Sequence, residues 1–159
     1  MQWNTVSDII LATSLATFAI FAILGFCQWI KRKSLKKVDK ELLWAILPFI
    51  LMVATYIVFD KFIILNTRPN GSSEPSFPST HTMVVATIFL ITAIILPKYI
   101  KSRAARIVLD LMMLAFVVLV SIGRVLANMH WISDVVGGLV FAAIFATIYY
   151  LIIRRYKNG

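Results

Sequence analysis

"SFPSTHTMVVATIFLITAIILP", Ser76–Pro97, joins a short polar head to an apolar run with no charged residue until Lys98. The head carries Pro78, Ser79 and His81, one of only 2 histidines in 159 residues. Its apolar part, Thr82–Pro97, is short of the roughly 20 residues that a bilayer core of about 30 Å demands. A helix here is expected to continue to about Ile100, with Pro97 kinking or ending it.

Working outward, four more apolar runs appear: Ile9–Ile30, Leu42–Asp60, Ile107–Met129 and Val135–Ile153. The hydrophobic fraction of 60% and mean hydropathy of +0.88 are too high for a soluble globule. The expected fold is an all-α integral membrane bundle of about five transmembrane helices, one domain over residues 1–159. No Lys or Arg precedes the first run and Asp8 stands before it, so it reads as a spanning helix, not a secretory signal. The single cysteine, Cys27, lies inside that run and reads as packing.

The net charge of +9 invites a nucleic-acid reading, but its placement argues for a membrane. The basic residues cluster at Lys31–Lys40, Lys98–Arg106 and Arg154–Lys157, which hold 13 of the 16 Lys and Arg. With five spans all three clusters fall on one face, which the positive-inside rule makes cytoplasmic. Lys61, Arg68 and Arg124 map to the opposite face, with His81, His130 and Asp134. Orientation does not explain that second group, and charges beside a membrane are costly and usually functional. Asp110, four residues after Arg106, has the spacing of an interfacial ion pair.

Three strings hold the outer polar residues. In "KFIILNTRP" (Lys61–Pro69) the two cations are seven residues apart. On a continued helix they share a face, since seven steps fall about 20° short of two turns. Two cations in a row suit a phosphate, with Arg supplying a bidentate fork. In "PSTH" (Pro78–His81) a helix should begin, and its free N–H groups and dipole make an anion site. Ser79 adds a hydroxyl. In "GRVLANMHWISD" (Gly123–Asp134), Arg124 ends a helix, and His130 and Asp134 are one turn apart. A carboxylate on one imidazole nitrogen fixes the tautomer and frees the other nitrogen to attack. Each string also has an ordinary reading: snorkelling cations, a helix N-cap, or a capping Asp beside a structural His.

Together, Lys-x6-Arg-Pro, Pro-Ser-x-His and Arg-x5-His-x3-Asp resemble the type 2 phosphatidic acid phosphatase family of integral membrane lipid phosphatases. That family also includes bacterial undecaprenyl pyrophosphate phosphatases. The resemblance covers about Lys61–Gly138. Vanadium haloperoxidases look similar in their anion site but are soluble. The resemblance implies that His130 is the nucleophile, forming a phosphohistidine, with Asp134 as its orienting partner. It implies that His81 protonates the leaving oxygen and later takes a proton from water. Lys61, Arg68, Ser79 and Arg124, with N–H groups near Thr80 and His81, are then the phosphate binders. No cofactor or metal is expected, because the cations supply the charge that phosphoryl transfer needs neutralised.

The chain departs from the family pattern at Thr80, where Gly is usual, and at Gly123, where Ser is usual. Many members have six spans, whereas five are expected here, without a counterpart to the first. The expected function is a lipid phosphate or pyrophosphate phosphatase of the cell membrane, with an extracytoplasmic site and undecaprenyl pyrophosphate as the favoured substrate. Phosphatidylglycerol phosphate, phosphatidic acid and lipid A phosphates stay open as substrates. So do a lipid phosphotransferase and a non-catalytic anion-binding or transport protein. Lipids, and not nucleic acid, are the expected partners. Gly137 and Gly138 are expected to let the last helix pack closely on a neighbour.

Overall fold

The computed structural model describes residues 2–158. It is all helical: α1 is Gln2–Arg32, α2 Lys40–Trp44, α3 Ile46–Ile57, α4 Thr80–Tyr99, α5 Arg103–Leu126 and α6 Ile132–Asn158. No strand occurs among the described residues, only an isolated bridge between Thr67 and Pro75. Five helical segments are long and apolar enough to cross a bilayer: Gln2–Arg32, Lys40–Phe62, Thr80–Tyr99, Arg103–Leu126 and Ile132–Tyr156. The second of these joins α2, α3 and a π-helical turn, Val58–Phe62. Its break at Ala45 precedes Pro48, which has no N–H to bond the carbonyl of Trp44.

α4 sits at the centre. Met83, Val85, Ile88, Phe89, Ile91 and Ile95 are all buried, because this helix is apolar on every side and needs neighbours all round. It runs to Tyr99 with Pro97 in its last turn, where the missing N–H does little harm to the helix before it. The outer helices turn large apolar side chains outward, as lipid allows: Ile23, Ile50 and Leu111 are each more than half exposed.

Within lipid, burial of apolar surface does not drive helices together, so close packing must. α6 supplies it with small residues one turn apart. Gly138, Ala142 and Ala146 form a stripe that is buried. A Cβ on Gly138 would stand 2.9 Å from the Ser79 carbonyl oxygen and 3.2 Å from the Met83 nitrogen. A Cβ on Gly137 would stand 2.3 Å from the Phe77 ring. Phe77 in turn meets Phe59 and Phe141, with ring centroids 5.2 and 6.5 Å away. The close approach expected of this glycine pair is therefore against both α4 and the loop that leads into it.

At the basic end of the bundle, Asp39 ties the helices together. It accepts from Gln28 Nε2 at 2.9 Å and from the Tyr99 hydroxyl at 2.8 Å. Burial works to raise its pKa, but these bonds and the charge of Lys98 outweigh it and hold the carboxyl at about 2. Tyr149 donates to the Glu41 carbonyl at 2.8 Å, fixing α6 to α2. Arg106 and Asp110 do not pair: among the described residues no ion pair joins them.

Candidate active site

A cavity of about 470 Å³ opens at the end of the bundle away from the basic clusters. α1, α3, α4 and α5 contribute to its walls, together with the loops before α4 and before α6. Arg68, Thr80, His81, Arg124 and His130 all line it. Residues far apart in sequence thus converge on one space.

His130 stands in the turn between α5 and α6, which Asn128 makes possible with a left-handed φ of 55°, a conformation Asn tolerates better than most residues. The imidazole is buried, and its Nδ1 lies 2.8 Å from the main-chain oxygen of Ser76. A carbonyl only accepts, so Nδ1 carries the proton and the neutral ring keeps its lone pair on Nε2. Burial, with the charge of Arg124 adding to it, holds the pKa well below the ordinary histidine value, at about 4. The Ser76 carbonyl and Asp134 pull the other way and lose.

Asp134 does not occupy the expected position. Its Oδ2 is 3.7 Å from His130 Nδ1, too far for a hydrogen bond. That oxygen instead accepts the Trp131 N–H at 2.8 Å, so Asp134 satisfies an orphan donor at the start of α6 in the manner of a capping box. The Asp134 carbonyl accepts the Ser79 N–H at 2.9 Å. The residue therefore joins the starts of α4 and α6 and contributes its charge from behind the histidine.

The phosphate-binding candidates divide. Arg124 is buried near the end of α5, and its Nη1 donates to Asn4 Oδ1 at 3.3 Å. Arg68 Nη2 pairs with Glu74 at 3.0 Å. The Nε atoms of both arginines are buried without a partner in the protein. An unpaired buried donor on a cation is costly, and both arginines line the cavity. Thr80 begins α4, so its N–H and those after it lack intrahelical partners. The Ser79 hydroxyl turns away, donating to Thr82 Oγ1 at 3.1 Å in a fully buried pair.

Lys61 lies apart from the cavity. The helix does not continue to Arg68 but ends in the π-helical turn Val58–Phe62. With an extra residue in that turn, Asp60 faces the cavity. Lys61 points out, 71% exposed and paired with Asp60 at 2.7 Å. The shared helical face of Lys61 and Arg68 therefore does not form, and Arg68 arrives on a loop. At Gly123 a Cβ would stand 2.8 Å from Ser7 Oγ. The space a serine side chain would take is filled from α1 by another hydroxyl.

Sequence reasoning missed Asn4, Asp8, Asp60 and the Ser76 carbonyl. Asp8 Oδ1 lies 3.0 Å from His81 Nε2. The available signal was the i, i+4 spacing of Asn4 and Asp8 at the outer end of an apolar helix. A main-chain carbonyl leaves no such signal. Among the described residues, no group of three or more His, Cys, Asp and Glu is placed to hold a metal ion.

A family model described as the PAP2 superfamily matches residues 58–157. No curated protein matches the chain. Among solved structures, the chain is similar to the first transmembrane PAP2 type phosphatidylglycerolphosphate phosphatase from Bacillus subtilis. The TM-score is 0.73 at 22% identity, over 96% of this chain and 77% of that one. This likeness speaks for the fold: the same all-helical transmembrane arrangement in a distant sequence. Since the family model spans well over half of the chain, the protein belongs to the PAP2 superfamily, the type 2 phosphatidic acid phosphatases, and is a multi-pass membrane phosphatase of lipid phosphates.

Proposed function

We propose that the chain hydrolyses a lipid phosphate or pyrophosphate at the extracytoplasmic face of the cell membrane, through a phosphohistidine on His130. The observation that carries this reading is the convergence on one cavity of two arginines and two histidines, with an Nε of each arginine buried and without a protein partner. Arg68, Arg124 and the free N–H groups at the start of α4 bind the phosphate oxygens. Nε2 of His130 attacks phosphorus as the bond to the leaving oxygen breaks, and that oxygen takes a proton from His81. Water then attacks phosphorus, His81 takes a proton from it, the P–N bond breaks, and phosphate leaves. Arginine and backbone donors neutralise the equatorial oxygens, so the scheme needs no metal ion. Lys61 and Ser79 have no direct part in it.

Two further features support a lipid substrate. Towards the basic end of the bundle, between α1, α2, α3 and α4, lies a separate apolar groove of about 300 Å³ that runs from Ile88 and Phe21 to Trp29 and Val38. It suits a hydrocarbon chain. Of the two segments that join helices at the cavity, residues 127–131 are short and residues 63–79 longer, and neither carries a helix, which suits a headgroup that is little more than phosphate. An isoprenyl pyrophosphate such as undecaprenyl pyrophosphate meets both conditions. Phosphatidylglycerol phosphate is the second reading, favoured by the solved relative described above.

Acid-stable quenching is unsuitable for a phosphoramidate, so the test is an alkaline quench of the enzyme with ³²P-labelled lipid phosphate. Label should appear on the wild type and be absent from His130→Ala. Turnover should be unchanged by EDTA. In one detergent, an isoprenyl pyrophosphate should show the higher kcat/KM. A tenfold advantage for phosphatidylglycerol phosphate, about 1.4 kcal/mol in transition-state binding, would transfer the substrate assignment to the second reading. An unlabelled but active enzyme would remove the phosphohistidine.

A further inference from the structure

The family model begins at residue 58, so α1 lies outside it. Yet α1 sends two polar side chains one turn apart into the cavity, Asn4 and Asp8. Asn4 accepts from Arg124 Nη1 at 3.3 Å, and Asp8 meets His81 Nε2 at 3.0 Å. The rotation of α1 that allows this is set by its buried stripe, Ser7, Ile10 and Ser14. Gly123 admits that stripe, since a side chain there would collide with Ser7.

We infer that Asp8 is a positioning residue for the reaction proposed above: it holds His81 as an imidazolium, ready to protonate the leaving group. The inference rests on that reading of His81. The charged and titratable groups lining the cavity around His81 are Arg68 from the loop, Arg124 from α5, His130 from the turn before α6, Tyr56 from α3, Asp60 at the end of the second span and Asp8 from α1. His81 is also in the first turn of α4, where the helix dipole repels positive charge. Two guanidinium groups and a helix N-terminus oppose a third cation. Asp8 is the carboxylate in contact with the ring. The proton passes from His81 to the leaving oxygen, and His81 regains one from the attacking water.

An exposed ion pair is often worth little to stability, and the Asp8 side chain is 63% exposed. The test must therefore read proton donation and not folding. An alkyl ester needs a proton on its leaving oxygen, whereas p-nitrophenolate leaves without one. The measurement is kcat/KM of the full-length enzyme in detergent on a dialkylglycerol phosphate and on p-nitrophenyl phosphate. This parameter reads the first phosphoryl transfer and not the later hydrolysis.

For Asp8→Asn the ratio of alkyl to aryl kcat/KM should fall tenfold or more, and Asp8→Glu should restore most of it. His81→Ala, the control for the underlying reading, should lower the same ratio about a hundredfold, within the range of general acid catalysis. If His81→Ala lowers the ratio and Asp8→Asn does not, the role of Asp8 is overturned while the phosphatase reading stands. If His81→Ala leaves the ratio unchanged, the reading of His81 fails and this inference fails with it. Should Asp8→Asn not fold, Asp8→Ser gives the same ratio test, with aryl phosphatase activity as the sign of an intact site.

Discussion

The Nδ1 atom of His130 donates to the main-chain oxygen of Ser76 at 2.8 Å, across 54 residues of chain. A main-chain acceptor cannot titrate and cannot be removed by substitution. The tautomer of this histidine is therefore set by the loop before α4, whatever side chains that loop carries.

One consequence is a displaced acid limb. The His130 ring is neutral above about pH 4, while the same residue in the unfolded chain titrates near 6.5. As pH falls between these values the unfolded state takes up the proton first, so stability is lost across that window, and none is lost above it. The acid limb of kcat/KM, which reports the free enzyme, should fall near the lower value. A limb centred near 6.5 would show that the ring is not held in this environment. His130→Gln should flatten the stability loss in the same window, read by melting in detergent.

Asp134 acts on His130 from a distance but caps α6 directly. Asp134→Asn keeps an acceptor for the Trp131 N–H, so the fold should survive while the rate falls. Asp134→Ala removes that acceptor as well and should cost a further 0.5–2 kcal/mol or so of stability, the usual worth of a cap. Equal melting temperatures for the two variants would contradict the cap.

The cations should separate by burial. Arg124→Lys replaces a buried fork by a point charge and should slow turnover by roughly tenfold or more, since the two side chains differ in geometry as well as hydration. Arg68→Ala should do the same. Lys61→Ala, at an exposed position apart from the cavity, should change kcat/KM by no more than about threefold. A larger loss at Lys61 than at Arg124 would mean that the π-helical turn rewinds when substrate binds.

Gly138→Ala should be severe for its size. The added methyl meets the Ser79 carbonyl at 2.9 Å, which is backbone and cannot rotate aside. Overpacking of this kind costs about 1–3 kcal/mol, and it falls where α6 holds the start of α4. Both the melting temperature and phosphate release should drop. Gly25→Ala, with its nearest contact at 3.7 Å, is the packing control and should not lower the melting temperature.

Much of this protein is local and was legible in the chain alone. Apolar runs marked all five membrane helices, four of them at about spanning length and Thr82–Pro97 short of it, and the placement of Lys and Arg separated the two ends of the bundle. The three polar strings pointed to an anion site and, by resemblance, to a family that the match over residues 58–157 then showed. These features survive in sequence because hydropathy and helical spacing act between near neighbours.

Partnership across the fold was decided elsewhere. Asp8 reaches His81 over 73 residues, and no spacing rule links them. Ser76 acts through its carbonyl, which every residue possesses. Lys61 and Arg68 lost their shared face because the helix ends in a π-helical turn at Phe62, and Asp134 gave its near oxygen to a main-chain N–H. The Asp8–His81 pair joins two side chains that only the packing of α1 on α4 brings together; the other outcomes turned on where a backbone donor or acceptor lay once the helices had packed, and a backbone group has no letter in the sequence.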